Sequence, residues 1–137
     1  MAAWGGISGL QYSLPASWEA LLEAGVPPNK GLSKLHSMVS QFPATLAGLA
    51  RIKGSLRHGI DADIVVWDPE GQADTSTAGL HHRHKVTPYA DKKLKGKVLA
   101  TFVRGNLVFD GKVGKLAQEA CGCALYGRKK PPIHYSY

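Results

Sequence analysis

The run Lys53-Gly54-Ser55-Leu56-Arg57-His58-Gly59-Ile60-Asp61-Ala62-Asp63, followed by Ile64-Val65-Val66-Trp67-Asp68-Pro69, constrains the fold more than any other stretch. Gly54 and Gly59 permit the positive φ that tight turns need, and Asp61 and Asp63 carry short carboxylates able to accept from nearby backbone amides. The apolar run Ile64 to Trp67 reads as a buried strand. Pro69, without an amide proton, is expected to end its ladder. The stretch therefore reads as a hairpin entering a sheet.

Upstream, the spacing predicts a short helix over Trp18 to Ala24 with Leu21 and Leu22 on its apolar side, closed by Gly25 and broken by Pro27-Pro28. Leu32, Leu35, Met38, Val39 and Phe42 recur at three and four, which predicts a second helix with Ser33 near its start as a cap. Pro43 suits the first turn of a third helix, ended by Gly48, so the last two would form a corner. Downstream, Glu70 to Ala78 reads as a loop or weak edge strand and His81 to Tyr89 as an irregular segment. Val98 to Val103 and Leu107 to Phe109 form a hairpin around Arg104-Gly105-Asn106. A brief helical or strand-like piece is expected over Leu116 to Ala120, and the basic tail from Gly127 is expected to be partly mobile.

Helices followed by strands, without βαβ alternation, imply an α+β class. Residues 1–52 form the helical part, 53–113 the β part and 114–137 a tail. Four strands leave unpaired edges, which normally require neighbours.

The formal charge of +7 is uneven, with seven Lys and Arg between His81 and Arg104 against Asp91 alone. Such a band could meet phosphate or an acidic partner, but a solvated face on a hairpin and its loop is the favoured reading. Nucleic acid is not expected, because no stacking aromatics or helix-turn-helix pattern accompany it. Cys121 and Cys123 form an isolated Cys-x-Cys, and no apolar run approaches a membrane span. The setting expected is reducing and cytoplasmic. His81-His82-Arg83-His84 contains a His-x-His, but no carboxylate or histidine cluster of ligand spacing adjoins it. Imidazoles bonded to backbone or to one another are the expected alternative to a metal.

The pattern Gly54-x-Leu56-x-x-Gly59-x-Asp61-Ala62-Asp63-Ile64-Val65-Val66-x-Asp68 resembles the start of the C-terminal small β domain of metal-dependent cyclic-amide hydrolases. These are the amidohydrolases that include dihydroorotases, hydantoinases and allantoinases. His84-Lys85-Val86-Thr87-Pro88-Tyr89 and the hairpin turning at Arg104-Gly105 resemble the closing part of the allantoinase family. Ala3 to Gln11 resembles that family's loop at the mouth of the catalytic barrel. The resemblance implies the last helices of a TIM-like barrel plus part of a small β-sandwich. It implies a zinc-dependent hydrolase opening the hydantoin ring of allantoin to allantoate, in purine catabolism. The family's metal ligands match no position here, and a complete barrel takes roughly 250 residues. The chain is therefore expected to begin just after the last catalytic residue, to hold no catalytic or metal-binding residue, to bind no zinc and to be inactive alone.

Only Gly5 and Gly6 carry over toward a site, as a loop letting backbone approach substrate; a plain tight turn is the other reading. Leu32, Leu35, Val39 and Leu46 would face a missing barrel or a homo-oligomer partner. Gln41-Phe42-Pro43 departs from the family's Asn-Pro-Ala, and Cys121-Gly122-Cys123 resembles the family's terminal segment and is expected to serve packing rather than metal or redox chemistry. The competing reading is a non-catalytic remnant or a basic module using Arg83, Lys85, Lys92, Lys93, Lys95 and Lys97.

Overall fold

A computed structural model of the chain describes residues 9–126. A 3-10 turn, Leu10–Tyr12, leads into helix α1, Ser13–Glu23, which starts well before the expected Trp18. Pro15 falls in the first turn, where amide protons have no helical acceptor, so its missing donor costs nothing. At the other end Gly25 adopts φ +73°, as expected of a helix stop, and the Gly25 and Val26 amides donate to the carbonyls of Leu22 and Leu21.

Helix α2, Pro28–His36, begins at the prolines that were expected only to break the chain, which leaves Ser33 inside the helix instead of capping it. The expected corner at Pro43 is absent. Residues 37–41 form a π turn that runs directly into α3, Phe42–Leu46, with helical dihedrals at His36, Gln41 and Phe42. In an ordinary α-helix Pro43 would leave the Val39 carbonyl without a donor and press its ring against it. The widened turn, in which the Phe42 amide donates to the Ser37 carbonyl, accommodates the proline without ending the rod. Gly48 then ends it, at φ +73°.

Among the described residues four antiparallel strands follow in the order β1-β2-β3-β4: Ile64–Gln72, Lys95–Val103, Asn106–Asp110 and Lys115–Leu116. Strand β1 has no strand before it among the described residues, so the expected hairpin at its start is instead a turn into a sheet edge. Nor does Pro69 end it. Asp68 pairs with Lys97 and Gln72 with Lys95, so the proline sits in a bulge opposite Gly96, where no ladder bond is demanded of it. The β2–β3 hairpin turns on Arg104 and Gly105, with φ +51° and +83°, between paired Val103 and Asn106.

Trp18, wholly buried, joins helices to sheet. Its ring packs with Leu21 and Leu35 and meets Trp67 of β1 edge to face at 5.5 Å, and Nε1 donates to the Pro69 carbonyl at 2.9 Å. A second cluster, Tyr12, Ala73, Leu80 and Leu94, draws the long β1–β2 loop back onto the start of α1.

The turn before β1 is held largely by charge, and of its two aspartates Asp63 also accepts a backbone amide, from across the β2–β3 turn. Lys53 Nζ reaches Asp61 at 2.8 Å and also Asp63, whose other oxygen accepts from the Arg104 amide at 2.9 Å. Burial pulls the Lys53 ammonium down, but its bonds to Asp61 and Asp63 outweigh this and leave it above the ordinary lysine value. Burial likewise raises the Asp63 carboxyl, and Lys53 with the Arg104 amide more than reverses that, leaving it lowered. A raised lysine contributes stability below its unfolded value of about 10.4, lost as pH climbs through the folded one. A lowered aspartate contributes above about 3.9, lost as pH falls through its folded value. Because Asp61 and Asp63 remain 33% and 37% exposed, Lys53→Met is expected to cost only about 1 kcal/mol or less at neutral pH. Urea midpoints of the two proteins should converge in acid below the carboxylate range and in strong base.

Candidate functional site

Helix α1 turns Ser13, Ala16, Ser17 and Ala20 toward an open groove of about 750 Å³ whose walls include Leu10, Met38 and Tyr89. Small side chains on the floor keep it wide. A neighbouring hollow lined by Met38, Phe42, Pro43, Thr45 and Leu46 shares Met38 with it, so the two make one apolar strip along the helices. Leu10 and Leu46 are each 93% exposed and Phe42 67%. Single exposed apolar residues are ordinary, but a contiguous strip of them marks an interaction site.

Of the four residues expected on the uncovered face, Leu32, Val39 and Leu46 are exposed. Leu35 is not: it is buried against Trp18 and Leu21, because α1 folds back over that side of α2.

Polar tethers fix one end of the groove. Gln11 donates from Nε2 to the Gly79 carbonyl at 2.7 Å and accepts from the His81 amide at 2.9 Å, while the Tyr12 hydroxyl donates to the Asp74 carbonyl at 3.1 Å. Burial, reinforced by the Asp74 charge, holds the Tyr12 phenol above its ordinary value. None of these partners could be found from local pattern, since 62 to 70 residues separate them.

The histidines do not converge. His81 packs its ring edge to face on Phe109 at 5.5 Å, and both ring nitrogens of His82 are covered without a hydrogen-bond partner among the described residues. The expected bonding of these two imidazoles to backbone or to each other is thus not what forms. No group of three or more His, Cys, Asp or Glu among the described residues is placed to hold a metal ion. These residues do not fit a zinc centre. Gly5 and Gly6 lie outside the described residues, as does the tail from Gly127.

The basic band is partly engaged internally: Lys95 pairs with Glu70 at 2.9 Å and Lys85 donates to the Leu80 carbonyl. Arg83, Lys92, Lys93 and Lys97 are exposed. Cys121 is half-buried and Cys123 exposed, so the expected packing role fails for Cys123. No helix among the described residues is long and apolar enough to cross a membrane.

Comparison with known proteins places this geometry in a wider setting. The model of the amidohydrolase family matches residues 15–108. The chain is 44% identical over 124 residues to the allantoinase of Arabidopsis thaliana, covering 89% of this chain and 23% of that protein. It is 43% identical over 130 residues to a probable allantoinase of Oryza sativa subsp. japonica, covering 93% and 24%. Among solved structures, an L-hydantoinase (dihydropyrimidinase) from Arthrobacter aurescens superposes with a TM-score of 0.73 at 28% identity, over 85% of this chain and 25% of that one. A D-hydantoinase superposes with a TM-score of 0.69 at 27% identity, over 78% and 22%. The chain spans about a quarter of the length of the curated relatives it matches.

Proposed function

Because the chain belongs to the amidohydrolase family, we propose that it forms the C-terminal portion of an allantoinase-like hydrolase, with catalytic and zinc-binding residues supplied from outside this chain. Residues 1–52 contribute the last barrel loop and helices, and 53–113 contribute to a small β-sandwich domain. The reaction is addition of water to a ring amide of allantoin, in which the C–N bond breaks to give the carboxylate of allantoate. The identity to allantoinases supports the substrate. The observation that carries the structural part is the apolar strip: Leu10, Met38, Phe42 and Leu46 line one helical face that nothing in the described chain covers.

On this reading α1 and the α2–α3 rod are held by Trp18 on their inner side and dock through the strip onto the rest of a barrel. Burying a Phe or Leu contributes about 1.5–3 kcal/mol. Phe42→Asp and Leu46→Asp are therefore each expected to weaken association with the remaining portion of a matched allantoinase tenfold or more. Both side chains point to solvent in the free chain, so its far-UV circular dichroism should not change. Association unaffected by both substitutions would remove the strip from the docking surface.

A further inference from the structure

Cys121-Gly122-Cys123 is unused by the docking reading and does not depend on it. We infer that this dithiol is a reversible thiol–disulfide site, with Cys123 as the attacking sulfur, Cys121 as the resolving sulfur and Arg104 as a positioning residue. Three observations carry the assignment. Cys123 is exposed and Cys121 half-buried, so a small disulfide can reach the first while the second stays close behind it. Arg104 Nη1 donates to Cys123 Sγ at 2.8 Å. That arginine is anchored independently of the cysteines, through its place in the β2–β3 turn and the hydrogen bond its backbone N–H donates to the Asp63 carboxylate. A cation is thus fixed where sulfur carries negative charge as nucleophile and as leaving group.

The backbone permits closure. Residues two apart are separated by at most about 7 Å, and disulfides form with Cα atoms roughly 4.4–6.8 Å apart. A side chain built at Gly122 would meet nothing within 4 Å, and among the described residues no strand runs beyond Leu116, so the backbone at Gly122 can rotate without breaking a ladder.

The chemistry needs a low-molecular-weight disulfide as oxidant. Cys123 sulfur attacks one of its sulfurs, forming a mixed disulfide and expelling a thiolate that takes up a proton. Cys121 sulfur then attacks Cys123 Sγ, forming the internal disulfide and expelling the second thiolate, which takes up the other proton. Two electrons pass from the protein dithiol to the small disulfide. The product is exposed and closes a very small ring, both features of labile, easily reduced bonds.

The test uses the full chain, oxidised glutathione and mass spectrometry. The expected product is lighter by two hydrogens, retains no glutathione and is reversed by dithiothreitol. Cys121→Ser should instead keep one glutathione on Cys123. Arg104→Gln should slow closure about two- to fivefold, the range for an exposed charge contact, with most of the rate restored in Arg104→Lys and the difference vanishing in high salt. Stable glutathione on both cysteines of the unaltered chain, or a closure rate indifferent to Arg104→Gln, would overturn the assignment.

Discussion

Trp18→Ala is expected to remove about 3–5 kcal/mol of folding stability, more than any other single side-chain truncation in the helical half. The ring is wholly buried, packs on Leu21 and Leu35, meets Trp67 across the helix–sheet boundary and satisfies the Pro69 carbonyl in the β1 bulge. Truncation leaves a cavity that cannot collapse, because α1, α2 and β1 are each held elsewhere as well. Trp18→Phe separates the contributions: it keeps an aromatic ring and loses the bond to Pro69, and should cost closer to 1–3 kcal/mol. Urea unfolding followed by circular dichroism checks both. A loss below 1 kcal/mol for the alanine variant would mean that helices and sheet are not joined through this residue.

Gly54→Ala is expected to cost about 2–4 kcal/mol, combining a left-handed backbone penalty of about 1–2 with overpacking of about 1–3. Gly54 adopts φ +85°, and a Cβ there would lie 2.6 Å from Ala44 Cβ and 2.8 Å from the Ser40 carbonyl oxygen. Neither obstacle is a flexible side-chain end, so the α2–α3 rod would have to move away from the turn that leads into β1. Gly59 provides the control. It has φ +83° but nothing within 4 Å, so Gly59→Ala should show the backbone penalty alone. Equal losses at the two positions would contradict close packing of the turn on the rod.

The parts of the fold legible in the sequence are those decided within a few residues. Arg104-Gly105 between two apolar runs leaves little but a two-residue hairpin turn, and Gly25 and Gly48 mark helix ends because only positive φ closes those caps. Pro43 does fall in the first turn of α3, as expected, but makes no corner there, and Pro69 does not end its strand, both for the opposite reason. Each forbids one hydrogen bond in regular structure, and the chain meets that constraint with a π turn in one case and a bulge in the other, so the element continues. Periodicity found the apolar stripe of α2 but could not say that Leu35 would be covered by α1 while Leu46 would not, since that depends on how α1 folds back. The tethers of Gln11 and Tyr12 to Gly79, His81 and Asp74 were invisible because their partners lie beyond any local window. His82-Arg83-His84 has the spacing of a metal pair, but no group of three or more possible ligands forms around it among the described residues, so the spacing alone makes no site.

The most direct measurement is allantoin hydrolysis after co-production of this chain with the upstream three quarters of a matched allantoinase from which the corresponding quarter has been deleted. Co-purification of the two polypeptides, with hydrolysis restored and lost again in Phe42→Asp, is the expected result. Two polypeptides that remain separate, or a complex that forms equally well with Phe42→Asp, would contradict the docking of this helical face onto a hydrolase barrel.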